Sequence, residues 1–228
     1  MKARNELLTP RKHTRRIYVG SVPVGGDSPV SIQSMTNTST RDAAATLAQI
    51  RALAAAGADI VRLAVPDTVS ADNLPALLKH SPVPLIADIH FDHKLALASL
   101  RAGVHGLRLN RGNIGGADRV REVVAAAKER NVPIRIGVNS GSLEKDLLRR
   151  YGVSPAALVE SALSHVKLLE DVGYHEVKIS VKASSVPLTI AAYRMLSERT
   201  DYPLHLGVTE AGSAVQGAVK SAVGIGAL

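Results

Sequence analysis

The chain has 228 residues, 46% apolar and 21% charged, the composition of one sizeable globular domain with its own core. It carries a net charge of +8 and no cysteine, which excludes disulfides, thiolate metal ligands and a cysteine nucleophile among these residues. No apolar run approaches the roughly 18 residues of a membrane span, and Met1-Lys-Ala-Arg-Asn-Glu6 lacks the apolar core of a secretory signal, so a cytoplasmic protein is expected.

The charge is uneven. Lys2, Arg4, Arg11, Lys12, Arg15 and Arg16 face only Glu6 within residues 1–16, a net +5 that leaves +3 for the rest of the +8 total. This stretch reads as a basic, flexible lead-in to a domain over 17–228. With a single Phe and no aromatic-basic interleaving, base stacking lacks its platform, so nucleic acid is not the expected partner.

Ile17-Tyr-Val-Gly-Ser-Val-Pro-Val24 reads as a strand or hairpin turning at Gly25-Gly26-Asp27. A repeating pattern of apolar strand, loop, amphipathic helix and glycine follows. Ser31–Met35 is the first such strand, or one preceding the first, and Thr40 or Asp42 can cap the helix that ends at Gly57. Asp59–Val65 is the second, followed by a short helix over 70–79 with Ser70 as cap. Pro84–His90 is the third, with a helix closing at Gly103, and Gly106–Asn110 is the fourth, with Val120, Val123, Val124 and Ala127 at helical spacing. Pro133–Asn139 is the fifth. Ser154-Pro155 opens a long helix in the cap-then-proline order, Glu176–Lys182 is the sixth strand, a helix lies near 186–199, and Pro203–Gly212 is the seventh. Strands alternating with single helices predict an α/β fold, a TIM-type (β/α)8 barrel truncated after the seventh strand and part of the following helix.

Parity along the strands carries the functional signal. One face holds Arg62; Asp88 and His90; Arg108 and Asn110; Arg135, Gly137 and Asn139; Lys178, Ser180 and Lys182; and His205, Gly207 and Thr209. The other face is apolar, so it packs under the helices while the polar set lines the interior. Gly57, Gly103 and Gly173 each precede a cation by five residues, which predicts Arg62, Arg108 and Lys178 at matching height. Five inward cations against Asp88 alone cannot all pair internally, and unpaired buried charge is costly. The surplus predicts a phosphate-bearing ligand. The Asn110–Gly116 turn, at a helix start, suits an anion, and Ser34–Asp42 either lines the mouth or only caps a helix. Asp88 and His90 lack a third ligand, so no metal is expected. Lys178 or Lys182 could form a Schiff base; Glu210 serves either in proton transfer or as a neighbour of a helix N-terminus.

Seven collinear stretches carry a resemblance: Val19–Gly26, Gln33–Asp42, Ile60–Pro66, Ala87–Phe91, Ile134–Asn139, Gly141–Lys145 and Leu204–Gly212. Together they resemble the 4-hydroxy-3-methylbut-2-en-1-yl diphosphate synthase family. That resemblance implies an N-terminal TIM-type barrel, a C-terminal iron–sulfur domain, and reductive ring opening of 2-C-methyl-D-erythritol 2,4-cyclodiphosphate in non-mevalonate isoprenoid synthesis. It implies a [4Fe–4S] cluster held by three Cys and a Glu, electrons from flavodoxin or ferredoxin, and a homodimer. In the same terms Arg62, Arg108, Arg135, Asn139 and Lys182 hold the cyclodiphosphate, and Glu210 is the catalytic glutamate of the barrel. The family usually reads Asn-Pro-Gly-Asn where this chain has Asn110-Arg111-Gly112-Asn113. Its cluster ligands find no counterpart here, so the expectation is a substrate-binding barrel that does not open the ring alone. The competing readings are a self-sufficient phosphate-binding barrel (a Schiff-base lyase or pterin-binding synthase-like enzyme) and a nucleic-acid binder acting through residues 1–16.

Overall fold

Side-chain alternation with a period of two, interrupted by capped helices, produces a single parallel sheet. The computed structural model describes residues 11–90, 92–109 and 117–228. Strands β3 (Gln33–Met35), β4 (Ile60–Ala64), β5 (Leu85–Ile89), β6 (Gly106–Leu109), β7 (Ile134–Asn139) and β8 (Val177–Lys182) pair in sequence order. Every pairing is parallel. Ahead of them β1 (Arg16–Val19) and β2 (Val22–Gly25) form an antiparallel hairpin.

The helices between the strands are α1 (Ala43–Ala55), α2 (Thr68–Asp72), α3 (Leu74–His80), α4 (His93–Ala102), α5 (Ala117–Glu129), α6 (Lys145–Tyr151), α7 (Pro155–Glu170) and α8 (Val186–Arg199). Helix α9 (Ala214–Gly226) follows the last strand-like segment. Ser154 and Ser185 cap α7 and α8 as read from sequence. For α1 the cap is Asp42, whose carboxylate accepts from the Ala45 amide at 2.9 Å. Thr40 instead donates to the Ala64 carbonyl at 2.6 Å, tying its loop to β4. The helix expected over 70–79 is two helices. Its cap is Asp67 rather than Ser70, and Pro75 follows the break at Asn73, because a proline ring cannot continue a helix through the carbonyl four residues back.

The outward faces of the strands form the main core. Val61, Leu63, Leu107, Leu109, Ile134, Ile136, Val138, Val177, Ile179 and Val181 are buried against the helices with Val123, Val124, Leu158 and Ala162. At the N-terminal end of the strands the inward residues are apolar as well. Ile60 and Ile86 pack with Val19 of the hairpin, and Val22 and Val24 lean on them. The hairpin therefore floors the interior.

Two expectations change. Residues 203–212 do not form a regular seventh strand. They make one parallel bridge, Ile179 with Leu204, framed by hydrogen bonds from Ile179 N to Pro203 O (3.1 Å) and His205 N to Ile179 O (2.8 Å). Pro203 has no N–H to donate, and among the described residues no strand pairs with the other side of this segment. The basic segment, from Arg11 on, is also held in place. Arg11 donates to the Ser28 carbonyl, Lys12 to that of Thr200, and Arg15 meets Asp201 at 2.8 Å while lying over the Tyr202 ring. Tyr202 in turn donates to Glu170 at 3.0 Å, beside His175.

Candidate functional site

Above the apolar floor, the next inward positions are charged. Register places Asp88, Arg108, Arg135 and Lys178 side by side across β5, β6, β7 and β8. One step higher, Gly137 pairs with Ser180, and above them Asn139 pairs with Lys182. Arg62 does not share the height of Arg108 and Lys178. It pairs with Ile86, two residues below the level of Asp88 on β5, because spacing from a helix cap does not account for the offset between neighbouring strands.

Asp88 is the one carboxylate among the buried polar residues described. Arg108 Nη1 lies 3.1 Å and His90 Nε2 3.4 Å from its Oδ1, and Arg62 Nε lies 3.4 Å from its Oδ2. The Arg62 guanidinium also contacts Met35 Sδ, at 3.0 Å from Nη2. One acid thus gathers three basic side chains and leaves none for the others.

Arg135 is 4% exposed, and its Nε and Nη1 are buried without a hydrogen-bond partner, as is Nε of Arg108. Buried guanidinium donors of this kind are rarely left unsatisfied. Lys178, 3% exposed, reaches Gln33 Oε1 at 3.4 Å. Lys182 is half-buried and passes over Gly207, where a Cβ would stand 2.8 Å from its Nζ. At Gly137 a Cβ would crowd Ser180 Oγ at 3.2 Å and would meet Arg108 Nε and Arg135 Nη2 at an ordinary 3.6 Å.

Electrostatics follow from burial and crowding. Burial, then the neighbouring Arg62 and Arg108, pushes Arg135 down to about 9. Burial, then Arg135 and Arg62, brings Lys178 down to about 7. Lys182 falls to about 7 for the same reasons, with Arg108 adding to them. Burial also lowers Arg62, with Asp88 opposing the shift. Desolvation, then Arg135, Lys182 and Lys178, holds the half-buried His205 well below the usual imidazole value, so it is neutral. In all of these the protein disfavours the charged form, which an anion in the pocket would reverse.

The structure therefore brings Arg62, Asp88, His90, Arg108, Arg135, Lys178, Ser180, Lys182 and His205 together. Asn139 and Thr209 sit half-buried at the rim, where the Thr209 amide bonds the Ala183 carbonyl at 3.3 Å. Glu210 is exposed beyond the rim, in a left-handed conformation with φ 50°. Asn110 and the Asn110–Gly116 turn, including Arg111, lie outside the described residues, as does Phe91. Sequence reading missed Tyr193, whose buried hydroxyl donates to the His205 carbonyl from α8. It also missed Gln33 and Met35 as partners of Lys178 and Arg62. Gln33 and Met35 share the inward parity of β3, a signal open to sequence; Tyr193 sits on a helix whose pattern gives no such cue.

Parallel strands in sequence order, helices outside and a polar crevice at the strands' C-terminal ends define an α/β barrel-type domain with a cation-lined interior. Residues 14–228 match the GcpE TIM-barrel domain, and the chain belongs to that family. It is 65% identical over 216 residues to a 4-hydroxy-3-methylbut-2-en-1-yl diphosphate synthase (flavodoxin) of Geobacter sulfurreducens, covering 94% of this chain and 61% of that protein. A protein of the same name from Magnetococcus marinus is 62% identical over 223 residues, covering 97% of this chain and 60% of its own length. The chain thus spans about three-fifths of these curated relatives. Among solved structures, 3-dehydroquinate dehydratase from Geobacillus kaustophilus shares the fold with a TM-score of 0.63 at 14% identity, over 90% of this chain and 81% of that one.

The residues present do not fit an iron–sulfur cluster. The chain has no cysteine, and the described residues contain no group of three or more His, Cys, Asp or Glu that could hold a metal ion. Among the described residues no helix is long and apolar enough to cross a membrane.

Proposed function

We propose that this chain forms the substrate pocket of a 4-hydroxy-3-methylbut-2-en-1-yl diphosphate synthase and binds 2-C-methyl-D-erythritol 2,4-cyclodiphosphate. The observation that carries this reading is the cluster of buried Arg108, Arg135 and Lys178 with half-buried Arg62 and Lys182 around a single buried carboxylate, Asp88. Arg135 offers two unpartnered donors and Arg108 a third, a set suited to forked hydrogen bonds with phosphate oxygens. Ser180, Asn139, His90, His205 and Thr209 complete the polar lining. Family membership supports the identity of the ligand.

In this reading the barrel binds and orients the cyclic diphosphate, and Glu210, beyond the rim, serves in proton transfer. Reductive ring opening belongs to the full-length protein, with a [4Fe–4S] cluster supplied by residues other than those present here, flavodoxin or ferredoxin as electron donor and a cytoplasmic homodimer as the working form. No step is assigned to the cluster from this chain. Calorimetric titration of the cyclodiphosphate into the 228-residue chain tests the reading. Saturable binding that Arg135→Ala weakens is the expected result; absence of binding would overturn it.

A further inference from the structure

The ligand-free interior holds more basic groups than acids. Into it project Arg62 from β4, Asp88 and His90 from β5, Arg108 from β6, Arg135 from β7, Lys178 and Lys182 from β8, and His205 from the segment after α8. Strand β3 adds only neutral groups, Gln33 and Met35, and α8 adds the Tyr193 hydroxyl. Carboxylates on neighbouring loops are otherwise engaged: Asp67 with Arg41 and Glu144 with His165. Glu210 is exposed beyond the rim. Asp88 is taken by Arg62, Arg108 and His90, so among the described residues neither lysine has an acid to face. The guanidinium groups keep their charge far more firmly than an amine does. The lysines are therefore the groups that yield.

We propose that Lys178 and Lys182 select ligands by charge, resting as free amines in the empty pocket and each taking up a proton from solvent when a ligand with two or more negative charges enters. Each amine's lone pair accepts the proton, and the new ammonium faces the ligand. The inference rests on the anion-pocket reading and deepens it. Its consequence is a pocket that repels little when empty and becomes fully cationic only around a dianion. A singly charged ligand cannot hold both protons and is bound weakly.

The probe is methanedisulfonate, which stays fully ionised at neutral and alkaline pH, so any proton exchanged belongs to the protein. It is titrated calorimetrically into the 228-residue chain in buffers of different ionisation heat, between pH 7 and 9. The expected result is net uptake of between about one and two protons, with the dissociation constant rising about tenfold or more per pH unit above neutrality. Methanesulfonate, with one charge, should bind at least about tenfold more weakly and take up less than one proton. Lys178→Met, or Lys182→Met at the wetter end, should each lower the uptake by about one. Binding with no proton uptake and no pH dependence would overturn the inference while leaving the anion pocket standing. Binding of pyrophosphate without methanedisulfonate would also overturn it, since selection would then rest on something other than charge. Failure of both anions to bind would remove the pocket reading and this inference with it.

Discussion

The two ends of the barrel interior are built from the same strands with opposite chemistry. At the N-terminal end Ile60 and Ile86 close against Val19 of the hairpin. Gly106 on the next strand leaves room for them, since a Cβ there would stand 3.1 Å from Ile86 Cγ1. Two residues further along, the same parity carries Arg62, Asp88 and Arg108, and the interior becomes crowded with cations. The lower end stabilises the fold by removing apolar surface from water, whereas the upper end holds like charges together at a cost to stability. Apolar floor and cationic interior are thus separated by about 7 Å along these three strands, the rise of two residues.

That separation can be broken from either side. Arg135→Ala removes the cation whose donors lack partners. It should weaken cyclodiphosphate or pyrophosphate binding by about 3 kcal/mol, roughly a hundredfold, with an unfolding midpoint no lower than that of the parent. Ile86→Ala, on the floor, should do the reverse: a loss of about 3 kcal/mol in denaturant unfolding, with affinity changed by less than about threefold.

Lys178→Met tests whether the upper end costs stability. Replacing a buried, poorly satisfied amine by an apolar chain of similar length should raise stability by about 1–3 kcal/mol near neutral pH while weakening anion binding. The sign of the pH effect is set by the same residue. Lys178 and Lys182 titrate near 7 in the folded protein and near about 10.4 when unfolded. Between those values the unfolded chain binds more protons, so stability of the ligand-free protein rises with pH; unfolding curves at pH 7 and pH 9 should show it, less steeply in the variant. Gly207→Ala is the mildest of the set. The added methyl displaces the flexible end of Lys182 and should lower affinity by about 1 kcal/mol, with little change in the unfolding midpoint.

Much of this was legible in the sequence because a strand's period of two sorts its residues without reference to anything distant. The inward placement of Arg62, Arg108, Arg135, Lys178 and Lys182 followed from parity alone. Heights across strands did not, and Arg62 is set lower than its glycine spacing implied. Caps were ambiguous wherever two candidates stood close together. Thr40 lost to Asp42 because its hydroxyl is engaged by β4, a contact across 24 residues. The hairpin's place under the barrel was hidden for the same reason: Val19 meets Ile60 and Ile86 only through tertiary packing. Tyr193 could not be found from periodicity, since its role depends on where a carbonyl on another segment falls.

The segment carrying His205, Gly207, Thr209 and Glu210 has one bridge to β8, where the pairing of β7 with β8 runs through six residue pairs. In hydrogen-exchange terms it is a separate opening unit. Amides of Leu206 to Val208 should exchange well before those of Ile136 or Ile179, without the sheet coming apart. The wall that carries Glu210 should thus yield early to protease or denaturant, and a bound anion, by fixing Lys182 against Gly207, would slow that exchange.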